Sequence, residues 1–205
     1  DDLSPLHELK GLIKTKNIHM FDIEDNHKIL FSAMRRQGPL GENPYYGTEI
    51  KYFIRDYNEE DSLELKIEIL NSSDQVIRNF SSSGKYKGNK IELKEGYNII
   101  KWDGDVDGFI PPDGVMIPRG SDGYISSYNV IPGEYKAKFY YGSYEKSFSF
   151  NVLPDPRQST SDLQFTDKGE LLKKIHDDIT DIYNSLSKMQ AVRDQLSDLN
   201  NRIEN

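Results

Sequence analysis

The segment DGDVDG contains the residue types that come nearest to a metal site. Asp103, Asp105 and Asp107 take positions 1, 3 and 5 of an EF-hand type of calcium loop, and Gly108 takes position 6. Position 12 is Gly114, although a calcium loop needs a bidentate Glu there, and a predicted strand rather than a helix precedes the segment. We therefore favour a solvated acidic turn and keep a calcium site as the alternative.

The tyrosines offer a second kind of chemistry, because an aromatic ring can stack on a sugar. Tyr124 and Tyr128, which follow the single tryptophan of the chain by some twenty-five residues, are the candidate sugar contacts. Tyrosine is also a good strand residue with an apolar ring and a polar tip. We favour this structural role and keep a carbohydrate-binding module as the alternative function.

Catalysis has little support in the sequence. The four histidines are scattered without the spacing of metal ligands, and the chain has no cysteine. Neither a G-x-S-x-G motif, nor a P-loop, nor a dinucleotide-binding fingerprint is present. We predict that this chain has no catalytic residues and no cofactor, with an unrecognised site in residues 103–129 as the remaining enzymatic alternative.

Charge and hydropathy narrow the range of partners. The formal net charge of -8 argues against binding to nucleic acid, which needs a basic surface. No apolar run approaches the roughly 20 residues that cross a bilayer, so the sequence predicts no membrane span.

Residues 48–152 alternate between apolar and polar side chains with a period of two. In LELKIEIL the side chains of Leu63, Leu65, Ile67 and Ile69 share one face. The other predicted strands are TEIKYFIR, GEYKAKFYYG, KSFSFNV, KILFSAM, QVIRNF and YNIIKW. Such alternation is typical of antiparallel sheets with one buried face. The pattern predicts a mainly β fold, an antiparallel β-sandwich of the immunoglobulin or fibronectin kind.

The only tryptophan lies at the end of one of these strands. Ile100 and Trp102 fall on the same face of YNIIKW, and Asp103 and Gly104 follow as a turn. A large aromatic side chain buries much apolar area. We predict that Trp102 packs at the end of the sandwich core.

The period changes from about Lys168 onward, where apolar residues recur every three or four positions. This spacing predicts a long amphipathic helix with a nearly heptad stripe. The residues predicted to pair with another helix are Ile175, Ile179, Ile182, Leu186, Met189, Leu196, Leu199 and Ile203. A helix of about 35 residues is about 50 Å long, more than a small sandwich covers. We therefore expect helix–helix contact with a second copy of the chain or with a missing partner helix.

Several segments follow one another in an order that resembles a known family. They are DDLSPL, NPYYGTEIKYFI, NIIKWDG, the V-x-P-G-x-Y of residues 130–135, and FNVLPDPR. Together they resemble the C-terminal region of large bacterial secreted proteins with sortilin-like or BNR-type β-propellers, often labelled glycosyl hydrolases or sialidase-like proteins. In that family, the resemblance implies, an immunoglobulin-like sandwich and a helical segment follow the last propeller strand.

The resemblance and the periodicities together predict four regions. Residues 1–44 are a strap from an upstream propeller, 45–153 the sandwich, 154–167 a linker and 168–205 the helix. The residues expected to hold the strap against the sandwich are Leu6, Leu9, Ile18, Met20 and Phe21. The Asp-box repeats of BNR propellers are absent from this chain. The resemblance thus implies a non-catalytic accessory module of a periplasmic, cell-surface or secreted protein, with the upstream propeller as its partner.

Overall fold

The computed structural model describes residues 17–29, 45, 47–57, 63–85, 88–117 and 124–203. Within these ranges the strands are β1 (Ile18–Met20), β2 (Asn26–His27), β3 (Thr48–Ile54), β4 (Leu65–Leu70), β5 (Val76–Ser81), β6 (Gly96–Trp102), β7 (Gly133–Tyr141) and β8 (Tyr144–Leu153). The helix α1 spans Asp162–Ile203. The fold is therefore mainly β, with a long helix at its C-terminal end.

The strands of the described part form two sheets. The three-stranded sheet has the order β1-β3-β6, and the five-stranded sheet has the order β2-β8-β7-β4-β5 and is curled into a half-barrel. All strand pairs are antiparallel except β2 with β8, which is parallel. The sheets pack on each other, as the rings of Tyr52 and Phe139 show with a centroid distance of 5.7 Å. The two sheets and the loops between them, here called the β unit, share one apolar core.

The predicted alternation of buried and exposed side chains is confirmed in the central strands. In β3 the side chains of Ile50, Tyr52 and Ile54 are buried while their neighbours are partly exposed. In β4 the apolar residues from Leu65 onward are fully buried. Leu63 was expected on the same buried face, but its side chain is 44% exposed. The reason is that β4 begins only at Leu65, so Leu63 lies outside the sheet.

The predicted strap differs from the structure where it is described. Ile18–Met20 is not merely laid against the sheets but is itself strand β1, paired with β3 from Ile18 opposite Ile54 to Met20 opposite Tyr52. Its alternation of buried and half-exposed side chains gives it the same inner face as β3. Leu6 and Leu9 lie outside the described residues, as does most of KILFSAM.

Trp102 is buried between the two sheets, with 1% of its surface exposed, as predicted. Its indole ring meets the rings of Tyr135 and Phe150 edge-on, at centroid distances of 5.9 Å and 6.0 Å. Its Nε1 donates to the backbone oxygen of Asp105 at 2.8 Å. The ring therefore joins the three-stranded sheet, the five-stranded sheet and the start of the following loop.

The helix begins earlier than the sequence pattern indicated. The predicted start is near Lys168, whereas α1 starts at Asp162. The Oγ of Ser161 accepts from the backbone N of Gln164 at 3.4 Å, and the Oε1 of Gln164 accepts from the backbone N of Ser161 at 3.0 Å. This reciprocal pair is a capping box, which satisfies two backbone donors at the helix start. The segment 154–167 is thus linker only up to this cap.

We expect the substitution Trp102→Ala to cost about 3–5 kcal/mol of unfolding free energy, because it removes a fully buried indole from between the sheets. Urea denaturation followed by circular dichroism measures this loss. The matched control is Ile99→Ala in the same strand, whose side chain is 44% exposed and whose loss should cost less than about 1 kcal/mol. A Trp102→Ala protein as stable as the wild type would show that the ring does not hold the sheets together.

Candidate helix-binding site

Helix α1 has one side that packs on the β unit, here called the inner stripe. Its side chains are half-buried and recur every three or four residues as Phe165, Gly169, Leu172, His176, Ile179, Tyr183, Leu186 and Gln190. The contacts that hold it come from the loop between β6 and β7. The inner stripe thus ends at Gln190, thirteen residues before the helix itself ends.

Phe109 is the centre of this contact. Its ring lies 4.7 Å from the ring of His176 and 6.0 Å from the ring of Tyr183, measured between centroids. The ring of Tyr128 meets His176 from another side at 5.8 Å. The Oγ of Ser127 is 2.7 Å from the Nδ1 of His176. The histidine is therefore enclosed by aromatic rings and a hydroxyl group, and its burial lowers its pKa below 6.5.

Both ends of the inner stripe are also fixed. Near the helix start, a Cβ on Gly169 would lie only 3.0 Å from the side chain of Ile131, so a glycine allows the close approach of the helix. Toward the other end, the Nε2 of Gln190 donates to the backbone oxygen of Asp113 at 2.6 Å. These contacts are about 30 Å apart along the helix at 1.5 Å per residue, so they fix the direction of α1 as well as its position.

The loop that receives the helix is itself held by one buried cation. Arg78, on the inner side of β5, is 3% exposed. Its Nη atoms lie 3.5 Å from carboxylate oxygens of Asp105 and Asp107, and they donate to the hydroxyl of Tyr124 and the backbone oxygen of Gly88. Its guanidinium also lies over the ring of Phe80 at 4.8 Å. A buried charge needs such partners, since desolvation alone would cost several kcal/mol.

Arg78 and the groups that it binds, here called the arginine cluster, hold Phe109 in place through the residues next to it in the loop. The hydroxyl of Tyr124 accepts from the backbone N of Gly108 at 2.6 Å, and Phe109 exchanges two backbone hydrogen bonds with Ile125 at 2.8 Å and 2.9 Å. A Cβ on Gly108 would lie 2.1 Å from the backbone oxygen of Ile125. The glycine is therefore needed for the close approach of two backbone segments, not for a turn around a cation.

The three acids predicted as calcium ligands are occupied by groups of this chain. Asp103 accepts from the hydroxyl of Tyr45 at 2.5 Å, and Asp107 accepts from the backbone and side-chain nitrogens of Asn79 at 3.1 Å and 2.8 Å. Asp105 faces Arg78, and its burial raises its pKa despite that cation. Among the described residues no group of three His, Cys, Asp or Glu side chains could hold a metal ion. Calcium binding and its absence both stay predictions.

The two tyrosines proposed as sugar contacts also have partners within the chain. Tyr124 uses its hydroxyl for Gly108 and Arg78, and Arg78 lies over its ring at 5.7 Å. Tyr128 packs its ring on His176 and against the core. Both side chains are half-buried. They serve the contact between loop and helix, and the carbohydrate-binding alternative stays a prediction.

A cleft of about 580 Å³ lies between β5 and β6, on the other side of the arginine cluster. Its lining mixes Arg78, Lys90 and Lys101 with Asp103 and Asp105. The Nε of Arg78 is the buried side-chain atom of the described ranges that has no hydrogen-bond partner. Since the other nitrogens of this guanidinium and both acids are bound within the chain, the cleft offers a ligand few buried groups.

A neighbouring face of α1, next to the inner stripe, carries a row of exposed apolar side chains, here called the outer stripe. It consists of Leu171, Ile175, Ile182, Met189, Val192, Leu196, Leu199 and Ile203, with exposed fractions between 46% and 74%. The residues predicted to pair with another helix are thus divided. Ile179 and Leu186 belong to the inner stripe and face the β unit, and the others belong to the outer stripe.

The helix extends beyond the β unit. Every residue from 191 to 203 is exposed. This segment is about 20 Å long at 1.5 Å per residue. Within it and just before it the outer stripe continues without interruption as Met189, Val192, Leu196, Leu199 and Ile203. Although α1 has 42 residues, no stretch of the described helix is apolar enough to cross a membrane.

Comparisons with known proteins give no match: no family model, no curated protein and no solved structure is similar to this chain.

We expect calcium to leave the melting temperature of the protein unchanged relative to chelator, because the carboxylates of Asp105 and Asp107 already bind Arg78 and Asn79. Differential scanning calorimetry of the full chain measures this. A ligand that binds only the native state must raise the melting temperature. An upward shift with calcium that disappears in Asp105→Ala would therefore contradict our interpretation of DGDVDG.

We expect the attachment of α1 to weaken as the pH falls. The pKa of His176 is lowered in the folded protein because the ring is partly desolvated. The unfolded chain therefore binds the proton more tightly, so the contribution of this group is complete above about pH 6.5 and is lost as the pH falls through the folded value.

The difference in unfolding free energy between wild type and His176→Phe isolates this contribution. The phenylalanine keeps an aromatic ring between Phe109 and Tyr128 but cannot be protonated. Measured by urea denaturation at pH 7.5 and 5.5, the difference should move in favour of the variant at the lower pH. A difference that stays constant between the two pH values would show that protonation of His176 does not affect docking.

Proposed function

We propose that this chain is a non-catalytic interaction module in which the β unit supports a long helix that binds another helix. The observation that carries this proposal is the outer stripe, a row of eight exposed apolar side chains on a helix of 42 residues. Apolar side chains scattered singly on a surface are ordinary, but a contiguous apolar patch marks an interaction site. From Met189 to Ile203 the apolar side chains recur every three or four residues, the spacing that packs against a second helix.

The β unit contributes rigidity to this function. Because the inner stripe is fixed from Gly169 to Gln190, the outer stripe has one orientation relative to the β unit. An isolated helix would lose conformational freedom on binding, whereas a helix that is already folded and held loses little. Because α1 is docked on the β unit up to Gln190, residues 191–203 are already helical and lose less conformational entropy when they bind a partner.

We interpret the β unit as a variant of the immunoglobulin-like sandwich. Two observations support this: the buried Trp102 between the sheets, and the hydroxyl of Tyr135, which donates to the backbone oxygen of Ile131 four residues upstream at 2.7 Å. A tyrosine that bonds back to the backbone just before its strand is a feature of that fold, the tyrosine corner. The curled five-stranded sheet and the parallel β2 depart from the usual arrangement.

We further propose that the module belongs to a secreted bacterial protein with a BNR-type or sortilin-like propeller. The support is the ordered set of segments that resemble the C-terminal region of such proteins. The coding sequence around this chain tests the idea, since propeller blades carry repeats of the type S-x-D-x-G-x-x-W. Their presence upstream of Asp1 is expected, and an upstream sequence without them would contradict this part of the proposal.

We expect the full chain to bind a synthetic helical peptide of about three heptads with Leu and Ile at its apolar positions and uncharged Gln beside them. The neutral flanks make this peptide a test of apolar helix pairing alone. Fluorescence anisotropy of the labelled peptide measures binding. The double variant Leu196→Asp with Leu199→Asp should lose it at least tenfold, because it places two charges in the outer stripe.

The matched control is Asp194→Ala, which changes an exposed residue of the same segment outside the outer stripe. This variant should bind as the wild type does. Circular dichroism of each variant shows whether α1 stays helical. A peptide that fails to bind the wild-type chain, or binds the double variant equally well, would refute a helix-binding role for the outer stripe.

A further inference from the structure

The outer stripe follows the two core positions of a coiled coil. In a heptad the positions a and d face the partner helix, and e and g flank them. Residues at a are Ile175, Ile182, Met189, Leu196 and Ile203, and residues at d are Leu171, Asp178, Ser185, Val192 and Leu199. Polar residues interrupt the d row at Asp178 and Ser185. From Met189 to Ile203 the core positions are apolar without a break.

The flanks of this uninterrupted segment are basic. Position g is filled by Lys188, Gln195 and Arg202, and position e by Arg193 and Asn200. None of these five flanking residues is acidic. The exposed ion pair of Arg193 with the adjacent Asp194, at 2.9 Å, is of the kind that contributes little and rearranges easily. The apolar seam from Met189 to Ile203 is therefore bordered by three cations.

A second copy of the chain in parallel orientation fits these flanks poorly. In a parallel pair each g residue faces the e residue five positions later in the other helix. Lys188 would then face Arg193 of the other copy, and by symmetry this would occur twice. Gln195 would face Asn200, without any compensating attraction. Like charges in direct contact across a seam destabilise it.

An antiparallel second copy meets a steric obstacle. The acidic residues at g positions of the helix are Asp167 and Asp181. They reach Arg202 and Lys188 of the other copy only in a register in which the two helices overlap along most of their length. In an antiparallel pair the e rows of both helices lie on the same side. The e row of each helix includes Leu172, Ile179 and Leu186, which are the residues that its own β unit covers. The two β units would then compete for the same space.

We propose that the outer stripe binds a different chain segment, an amphipathic helix whose apolar seam is flanked by Asp and Glu. Acidic residues at its e and g positions would pair with Lys188, Arg193 and Arg202, while Leu or Ile at its core positions would cover Met189 to Ile203. This inference rests on the proposed helix-binding function and adds the chemistry of the partner. The charges select this partner over a second copy, because charge pairs across a seam decide partner choice more than total affinity.

Two synthetic helical peptides test this proposal on the full chain. They share the same Leu and Ile core positions and differ only at e and g, which are all Glu in one and all Lys in the other. At low salt the Glu peptide should bind at least tenfold more tightly than the Lys peptide by fluorescence anisotropy. The difference should shrink as salt is raised to about 1 M, where screening leaves a Debye length of about 3 Å.

A charge-reversed chain gives the matched comparison. The variant Lys188→Glu with Arg193→Glu and Arg202→Glu keeps every residue of the outer stripe and should prefer the Lys peptide. Equal binding of the two peptides by the wild-type chain, with the uncharged peptide also bound, would overturn the acidic partner and leave the helix-binding function standing. Loss of binding to all three peptides would instead contradict the function itself.

Light scattering of the chain alone tests whether a second copy of the chain binds the outer stripe. We expect a monomer at concentrations up to those used in the binding experiments. A dimer that Leu196→Asp with Leu199→Asp dissociates would show that a second copy covers the outer stripe, and this would contradict the proposal.

Discussion

The buried guanidinium of Arg78 is the interaction on which the arrangement of helix and sheets depends. Its side chain extends from the inner side of β5 and binds Asp105, Asp107 and the hydroxyl of Tyr124, all from the long loop between β6 and β7. These contacts fold the loop back onto the sheet edge and present Phe109 on its outer side, where the rings of α1 pack. A loop without this cation would leave the largely buried Asp105 without its charge partner, at a desolvation cost.

The consequence for α1 is that one helix has two different apolar sides. The inner stripe packs on the β unit of the same chain, and the outer stripe is exposed along the same helix. An α-helix has 3.6 residues per turn, so a broad apolar band can pack on the β unit with one edge and expose the other edge. The position of Phe109 decides which residues belong to which side, so the loop sets the direction in which the outer stripe faces.

Much of the β unit could be predicted from the sequence, because each buried strand face leaves a period of two in its own residues. Leu65, Ile67 and Ile69 show this, and so does Trp102 at the end of its strand. The start of α1 was also encoded locally, in the capping box of Ser161 and Gln164, which the apolar periodicity alone does not show. The β1 pairing was less visible, since three residues are too few for a clear period.

The division of the helix could not be predicted, because it depends on contacts distant in sequence. Ile179 and Leu186 have the same spacing as their exposed neighbours but are half-buried. The docking of α1 on the loop, seen in the contacts of Phe109 and Tyr128 with His176, decides which side of the helix is covered. Arg78 left a weak trace in the sequence: it alternates with Val76 and Phe80 and so falls on an apolar face. Its acidic partners, however, lie 27 and 29 residues away, in a segment whose sequence resembles a calcium loop.

Hydrogen–deuterium exchange along α1 in the unliganded full chain tests the central claim most directly, namely that the helix is held up to Gln190 and free beyond it. Amide exchange reports local opening, which is slow where a segment is packed and fast where it is solvated. We predict slow exchange from Phe165 to Gln190 and fast exchange from residue 191 to 203. Uniformly fast exchange along the whole helix would show that α1 is not docked on the β unit, and uniformly slow exchange up to Ile203 would show that the projecting segment is already covered.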